Sequence, residues 1–180
     1  SLFHDTDKYF GSYGSFFTSI LAIEELSKVD PSAGVFVDVQ NTLINNIFHR
    51  WASTEQKKAY YPRLAQNCVG AFGLTEPDSG SDAFALQTKA VEKSGFWHLT
   101  GKKVFITNAK EAGLFIIFAN IAPERGYKGI TAFLVERDAP GFRVGKKENK
   151  LGIRGSSTCE LILEDVKVSP DDVIGGLEQG

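Results

Sequence analysis

The hydrophobic period of the sequence changes once, near Cys68, and this change restricts the possible folds more than any other feature. Before Cys68, apolar residues recur at intervals of three and four, which indicates helices with one apolar face. After it, short runs rich in β-branched and aromatic residues alternate with turn residues, which predicts strands at roughly 8–12-residue spacing. Helices followed by strands indicate an α+β fold with an antiparallel β-barrel-like or sandwich domain. A parallel nucleotide-binding sheet is disfavoured.

Three helices are predicted in the first part of the chain. The first ends at Asp30, which is the N-cap of the second, with Pro31 at the first helical position. A capping box of Ser53 and Gln56 begins a short third helix, and Pro62 is expected to end it early. The apolar residues that define the first two helices are Phe16, Phe17, Ile20, Leu21, Ile23, Leu26 and Val29, then Val35, Val39, Leu43, Ile44 and Ile47.

The second part of the chain predicts short strands separated by glycine-containing turns. These predicted strands are residues 68–74, 84–91, 96–99, 103–107, 114–120, 130–136 and 159–168. The last ten residues are polar and glycine-rich, and a helical layer packing there is expected to come from residues that this sequence does not contain.

Composition and charge exclude several classes of protein. Of the 180 residues, 42% are hydrophobic and 23% are charged, with a net charge of −2, which is ordinary for a globular protein. No basic stripe is present, so nucleic-acid binding is disfavoured. The longest apolar run, residues 114–119, is far shorter than the ~20 residues that span a bilayer. Because the sequence contains no methionine, we expect a processed or excised piece of a longer product.

Cysteines and histidines predict neither a disulfide framework nor a metal site. Cys68 and Cys159 are too few for a framework, and we expect them to be reduced, in a reducing compartment. His4, His49 and His98 lack the spacing of metal ligands, so each is expected to be an ordinary solvated or core histidine.

Residues 73–82 are the most informative segment, with the sequence Gly-Leu-Thr-Glu-Pro-Asp-Ser-Gly-Ser-Asp. A predicted strand runs into a tight loop of proline, glycine and small polar residues. Such a loop gathers backbone N–H groups and hydroxyls in one place, which suits a phosphate or the electron-rich edge of a ring. The same residues are good turn formers, so an ordinary surface turn is the other interpretation. The residues alone leave both interpretations open.

Three ordered blocks resemble the acyl-CoA dehydrogenase family. Residues 73–82 are similar to its Gly-Leu-Thr-Glu-x-x-Ser-Gly-Ser-Asp signature, and residues 101–108 to its G-x-K-x-[WF]-I-[TS]-N strand. Residues 150–158 are similar to its K-x-G-x-R-x-S-x-T stretch. The stretches that look closest to the short/branched-chain (2-methylbutyryl) acyl-CoA dehydrogenases are residues 40–44, 126–131 and 148–159.

The resemblance runs from about Gly14 to Gly180 and implies a domain organisation. Residues 1–67 resemble the later helices of an N-terminal helical domain, and residues 68–170 the central β domain that contacts flavin and acyl-CoA. Residues 171–180 resemble the start of a linker to a C-terminal helical domain that is missing from this sequence.

The resemblance implies an activity as well as a fold. Family members are FAD-dependent oxidoreductases that convert acyl-CoA thioesters to 2-enoyl-CoA, here short or branched ones, as in fatty-acid and isoleucine breakdown. They pass electrons to electron-transferring flavoprotein and, by analogy, form homotetramers in the mitochondrial matrix. The family's catalytic glutamate lies in the missing domain, and Glu76 belongs to the turn signature, so no catalytic residue is expected in this chain. Alone, the chain is expected to be inactive, to hold flavin weakly and to self-associate through bared apolar faces.

The resemblance also assigns contacts residue by residue. Phe105 stands where the family commonly has a tryptophan packed on the flavin. The resemblance places the Thr75 hydroxyl at the polar edge of the flavin ring and the Thr107 hydroxyl near N5. Without the resemblance, Phe105 is more simply an aromatic that fills the core beneath a strand. The residues expected to contact FAD are Phe72, Gly73, Leu74, Thr75, Gly80, Ser81, Phe105, Ile106 and Thr107. Those expected to contact acyl-CoA are Ser81 and Tyr127.

Three other interpretations of the sequence stay open. One is an acyl-CoA oxidase on the same scaffold, which would pass electrons to oxygen. Another is a catalytically inactive fragment that binds flavin or CoA, or that acts as a scaffold within an oligomer. The third is an ordinary β domain with a helical extension and no cofactor.

Overall fold

The computed structural model describes residues 16–180, so His4 lies outside the described residues. The first part of the described chain is helical and contains one π-helical segment. The helices are α1 (Phe16–Val29), α2 (Pro31–Asp38), the π-helix (Val39–Asn45), α3 (Asn46–Trp51) and α4 (Thr54–Gln66).

The two predicted helix starts are confirmed. The carboxylate of Asp30 accepts a hydrogen bond from the Ser32 N–H at 2.8 Å, and Pro31 occupies the first turn of α2. At α4, the Ser53 hydroxyl accepts from the Gln56 N–H at 3.1 Å, while the Gln56 side chain accepts from the Ser53 N–H at 2.9 Å. Each cap satisfies N–H groups that a helix start leaves without a partner.

The prediction that Pro62 ends the third helix early is wrong. The helix continues through Pro62 to Gln66 and closes on the Arg63 carbonyl, which accepts from the two residues that follow the helix. Proline removes one N–H from the helical ladder. The buried Tyr61, next to it, packs against the sheet and holds this turn in place.

The apolar face of α1 is largely solvent-exposed in the part of the chain that the structure describes. Phe17 is 67% exposed and Val29 is 90% exposed, and no residue of α1 is buried. The helix contacts α2, where a side chain at Gly34 would collide with Ser27. An unpartnered apolar face of this kind favours association.

The second part of the described chain is a mostly antiparallel sheet. Its strands are β1 (Gly70–Gly73), β2 (Lys89–Lys93), β3 (Phe96–Thr107), β4 (Leu114–Asn120), β5 (Ile130–Glu136), β6 (Phe142–Lys147), β7 (Thr158–Val168) and β8 (Val173–Ile174). The strand order along the sheet is β6-β7-β3-β2-β4-β5-β8, with β1 paired to β4. The pairs of β4 with β1 and β2 are parallel, and the other pairs are antiparallel.

The predicted α+β fold is confirmed. The sheet ends at two edge strands, β6 and β8, and is therefore barrel-like without being closed. Side chains alternate across each strand, so β4 contributes to two separate cores. Phe115 and Ile117 point into the core enclosed by the curved sheet, whereas Leu114 and Ile116 point into the core between the sheet and the helices.

Several predicted strand boundaries need correction. Residues 84–88 are not a strand, because they include a short 3₁₀ turn (Ala83–Ala85) and β2 begins at Lys89. The two strands predicted at 96–99 and 103–107 are one strand, β3, which bends through irregularities in its pairing with β7 instead of ending at Gly101. Strands β6 and β8 were not predicted, since each lies at a sheet edge where alternation is weak.

Membrane spans and metal clusters are not found among residues 16–180. No helix there is long and apolar enough to cross a membrane, and no group of three or more His, Cys, Asp or Glu is placed to hold a metal ion. Cys68 and Cys159 are free thiols, and burial raises the pKa of both.

Candidate flavin site

A β-bulge in β3 gives the sheet an irregular geometry next to the predicted site residues. Lys103 pairs with Leu161 of β7 and Ile106 pairs with Cys159, so β3 uses one residue more than β7 over the same interval. Within this bulge, Phe105 has a φ of 58°, in the left-handed region. A bulky residue rarely adopts that conformation, which costs on the order of 1–3 kcal/mol and marks functional sites when neighbours enforce it.

The bulge turns the Phe105 ring out of the sheet. Phe105 is 64% exposed, whereas Val104 and Ile106 on either side are buried. The alternative interpretation of Phe105 as a core-filling aromatic is therefore wrong. The two-residue repeat is broken at the bulge, where the consecutive residues Lys103 and Val104 are both buried, and it is Phe105 that then faces outward.

A cavity of about 170 Å³, here called the Phe105 cavity, lies at the bulge between sheet and helices. Its sheet side brings together five of the residues predicted to contact FAD, and its helical wall is formed by Val39 and Leu43 of the π-helix. The sheet-side residues are Phe72, Thr75, Phe105, Ile106 and Thr107. Short π-helical segments are frequent at functional sites, since they shift side chains relative to an ordinary helix.

Two hydroxyls in the Phe105 cavity are available to a ligand. Thr75 and Thr107 are half-buried, and neither side chain has a hydrogen-bond partner within residues 16–180. A hydroxyl can donate and accept, so the pair suits the polar edge of a heteroaromatic ring. Aromatic and aliphatic neighbours suit the face of such a ring. The donor set therefore fits a flavin.

The strand-to-loop junction that carries Thr75 is held by a buried ion pair. The Lys103 ammonium lies 2.6 Å from Glu76 Oε1, with both side chains at most 3% exposed, and it donates to the Leu74 carbonyl at 3.2 Å. The Val104 N–H donates to the Thr75 carbonyl at 2.9 Å. These bonds tie residues 74–76 to β3 just before the bulge.

The Glu76 carboxylate accepts hydrogen bonds from three different residues at this junction. Its carboxylate also accepts from the N–H groups of Gln87 and Thr88, at 2.5 and 3.0 Å. Burial by itself raises the pKa of Glu76, but the hydrogen bonds from Lys103, Thr88 and Gln87 together outweigh burial and hold the pKa below its ordinary value. An ionised, fully bonded carboxylate anchors the loop and is a poor proton acceptor.

The rest of the signature loop is a tight turn with an exposed tip. Glu76 and Ser79 exchange backbone hydrogen bonds, and the Ser79 hydroxyl donates to the Asp82 carbonyl at 2.8 Å. Gly80 and Ser81 are exposed, and a side chain at Gly80 would meet nothing within 4 Å. Of the predicted flavin contacts, these two residues do not line the Phe105 cavity.

The other predicted contacts, Gly73, Leu74 and Tyr127, are not among the residues that line the Phe105 cavity. Gly73 packs tightly, since a side chain there would lie 2.6 Å from the Ile117 side chain, and Leu74 is half-buried. Tyr127 lies apart from the Phe105 cavity and stacks on Phe84, with ring centroids 4.9 Å apart. Phe84 borders a second cavity of about 220 Å³ together with residues that include Lys89.

Comparison with known families decides the identity of this architecture. Residues 71–166 match the acyl-CoA dehydrogenase middle domain, and residues 4–67 match the acyl-CoA dehydrogenase N-terminal domain. The chain belongs to the acyl-CoA dehydrogenase family. The resemblance predicted from three sequence blocks is thereby confirmed.

Curated relatives of this family member include short/branched chain specific acyl-CoA dehydrogenases. A probable short/branched chain specific acyl-CoA dehydrogenase of Dictyostelium discoideum is 57% identical over 97% of this chain and 43% of its own length. The mitochondrial short/branched chain specific acyl-CoA dehydrogenase of Rattus norvegicus is 48% identical over 96% of this chain and 40% of its own. The chain thus spans less than half the length of these relatives.

Solved structures of the same architecture include flavoproteins. A chain of the structure described as the electron transferring flavoprotein of Acidaminococcus fermentans is 42% identical, with a TM-score of 0.94 over 97% of this chain and 46% of its own. A chain of the FAD complex of PigA is 32% identical, with a TM-score of 0.91 over 97% of this chain and 46% of its own.

The sequence prediction missed three residues of this family member's candidate site. Val39 and Leu43 were assigned only to a helical apolar face, because the cavity they line depends on how helix and sheet meet. Lys103 looked like an ordinary strand lysine. Its position in the second sequence block, with Glu76 in the first, is the one signal that points to a pairing across 27 residues.

Proposed function

We propose that this chain is the flavin-binding part of an FAD-dependent dehydrogenase that converts short or branched-chain acyl-CoA thioesters to 2-enoyl-CoA. The observation that carries this proposal is the exposed Phe105 in a strained bulge, sharing one cavity with the free hydroxyls of Thr75 and Thr107. The names of the relatives from Dictyostelium and rat support the substrate class, and the FAD complex of PigA supports the cofactor.

Different residues of the Phe105 cavity are proposed to contact different parts of FAD. Phe72 and Phe105 supply aromatic surface, Thr75 and Thr107 supply hydroxyls, and the helical wall excludes water from one side. When bound, FAD supplies the hydride acceptor of the reaction. Gly73, Leu74 and Ile106 belong to the same proposed contact surface.

The exposed parts of the site are proposed to serve the phosphates and the substrate. The tip of the signature loop, Gly80 and Ser81, presents backbone and a hydroxyl to solvent, which suits the flavin phosphates. Ser81 and Tyr127 are proposed to contact the acyl-CoA. The half-exposed Tyr127 ring, supported by Phe84, offers a flat apolar surface with a polar tip.

The proton-abstracting base is proposed to lie outside this chain. Within the described part of the chain, the residues that line the Phe105 cavity include no acid, histidine or lysine. The carboxylate of Glu76, next to Thr75 in the signature loop, accepts hydrogen bonds from Lys103 and from two backbone N–H groups, so it is not free to accept a proton. In the proposed organisation, residues 1–67 and 68–170 form the helical and β domains, and residues 171–180 lead toward the part that holds the base.

The proposed partners follow from the relatives. Electron-transferring flavoprotein is proposed as the electron acceptor, supported by the structural likeness to the Acidaminococcus fermentans chain. A homotetramer is proposed by family analogy, and the exposed apolar face of α1 is available for such association. A mitochondrial matrix location is supported by the rat relative, described as mitochondrial, although the family also has bacterial members such as that of Bacillus subtilis.

Replacing Phe105 with alanine is expected to weaken FAD binding by about tenfold or more. Aromatic stacking on a planar base is worth roughly 1–3 kcal/mol, and 1.4 kcal/mol corresponds to tenfold in Kd. Titration of FAD fluorescence with the chain gives the Kd directly, even where binding is weak. The control is Phe84→Ala, an equally exposed aromatic outside the cavity, which should leave the FAD affinity unchanged. Equal FAD affinities for wild type and Phe105→Ala would contradict the proposal that FAD binds in the Phe105 cavity.

Purified chain loaded with FAD is expected not to turn over 2-methylbutyryl-CoA. The measurement is reduction of an artificial electron acceptor, run beside a full-length relative such as the rat enzyme. Turnover that is lost in Glu76→Gln would contradict the placement of the base outside the chain.

Hydrogen peroxide formation by the complete protein would favour an oxidase over a dehydrogenase.

A further inference from the structure

Lys103 is a buried charge that does not line the Phe105 cavity. Its side chain is fully buried, and its partner Glu76 is 3% exposed. Burying two charges costs several kcal/mol per ion, and an apolar pair of the same size often serves stability as well or better. Stability alone therefore does not explain a buried ion pair beside a ligand cavity, and we look for a second role of the lysine.

The ammonium is aimed at one particular peptide group. Besides Glu76, Lys103 Nζ has one hydrogen-bond acceptor among residues 16–180, the Leu74 carbonyl at 3.2 Å. That carbonyl belongs to the amide whose N–H is carried by Thr75. A cation bonded to the oxygen of an amide draws electron density toward that oxygen and makes the N–H of the same amide a stronger donor, an effect that grows in a low dielectric.

The polarised N–H is left free for a ligand. Thr75 lines the Phe105 cavity, and its N–H has no acceptor among residues 16–180. The Thr75 carbonyl is fixed separately by the Val104 N–H at 2.9 Å, so the residue is held by β3 on both of its neighbouring amides. Orientation and donor strength at Thr75 therefore both depend on β3.

We propose that Lys103 is a positioning residue that polarises the Leu74–Thr75 amide toward the bound flavin and thereby favours reduced over oxidised FAD. The inference rests on the proposed function and assigns a residue beyond the cavity lining. Reduced flavin carries more electron density at its polar edge, so a stronger donor there binds the reduced form preferentially. Glu76 holds the ammonium in place and balances its charge, which leaves the carbonyl bond as the directed effect.

The test compares the affinities of the chain for oxidised and reduced FAD. Fluorescence or calorimetric titrations, the reduced series under anaerobic dithionite, give two Kd values for each variant. Lys103→Met is expected to lower the ratio of the oxidised to the reduced Kd by about tenfold, which for a two-electron couple equals a potential about 30 mV more negative. The control is Lys102→Met, the same substitution at the exposed neighbour that pairs with Glu160, which should leave the ratio unchanged.

A second variant keeps the test valid if Lys103→Met fails to fold. Lys103→Met leaves Glu76 buried without its cation, whereas Glu76→Gln/Lys103→Met removes both charges and leaves no unpaired ion. Both variants lack the ammonium at the Leu74 carbonyl, so both are expected to show the lowered ratio. A purely structural role would weaken both redox forms equally, and an unchanged ratio in a folded variant that binds FAD would overturn this inference alone. Failure of the wild-type chain to bind FAD in either form would overturn the proposed function together with it.

Discussion

Replacing Glu76 with alanine is expected to lower the free energy of unfolding by about 3–5 kcal/mol, the range measured when one member of a buried ion pair is removed. The substitution strands the Lys103 ammonium in a fully buried position and leaves the N–H groups of Gln87 and Thr88 without their acceptor. The Thr88 N–H is buried, so leaving it unsatisfied carries a further desolvation penalty. Urea unfolding followed by tryptophan fluorescence measures the change.

The matched control for Glu76→Ala is Glu164→Ala. Glu164 pairs with Arg143 at 3.0 Å, but both side chains are more than half exposed, so this pair should contribute no more than about 1 kcal/mol. The contrast isolates burial as the cause, because both substitutions remove a carboxylate from an ion pair. Similar losses for the two variants would mean that Glu76 is solvated in the folded chain.

The stabilising effect of Glu76 is expected to vanish in acid. Its folded-state pKa lies below the ordinary value, so protonation is harder in the folded than in the unfolded chain. The contribution is therefore complete above the unfolded pKa, about 4.3, and is lost as the pH falls through the lower folded value. The difference in unfolding free energy between wild type and Glu76→Ala should be constant above about pH 5 and shrink below about pH 4. A difference that grows in acid would reverse the sign of the assigned shift.

Local signals predicted the elements of the fold well. The caps at Asp30 and Ser53 involve residues two or three positions apart, so their chemistry is visible in the sequence. Strand β6 was missed because, of its six residues, only Phe142 is buried, so no alternation appears. The passage of α4 through Pro62 was missed because the burial of Tyr61 against the sheet is a tertiary effect.

Most of the predicted candidate-site residues lie in sequence blocks that resemble the family. The resemblance named Phe105 and Thr75, but their shared cavity follows from a bulge whose position depends on the register of β3 against β7. Strands β3 and β7 are distant in the sequence and no short turn joins them, so turn chemistry does not fix their register and the position of the bulge is not visible locally. Lys103 shows the same limit, since its burial depends on Glu76, and a strand lysine is ordinarily exposed.

Replacing Ile44 with alanine is expected to cost about 2–5 kcal/mol, and Ile44→Val about 0.5–1.5 kcal/mol. Ile44 is fully buried in the core between helices and sheet. It packs against the backbone of Gly70, where an added side chain would lie 2.6 Å from an Ile44 methyl, and the adjacent Gln40 side chain accepts from the Gly70 N–H at 2.9 Å. Helix and sheet are in such close contact here that neighbouring atoms cannot move in to fill the deleted methyls.

The Ile44 series also tests how the Phe105 cavity is built. Ile44 belongs to the same π-helix as the helical wall, so a void beneath it loosens the wall that faces the sheet residues proposed to contact flavin. Urea unfolding gives the stability loss, and Ile20→Ala, on the exposed face of α1, is the control with an expected loss within about 0.5 kcal/mol. If Ile44→Ala cost no more than Ile20→Ala, the helices would not be packed on the sheet at Gly70. The cavity would then have no fixed helical wall, and flavin binding would rest on the bulge of β3 alone.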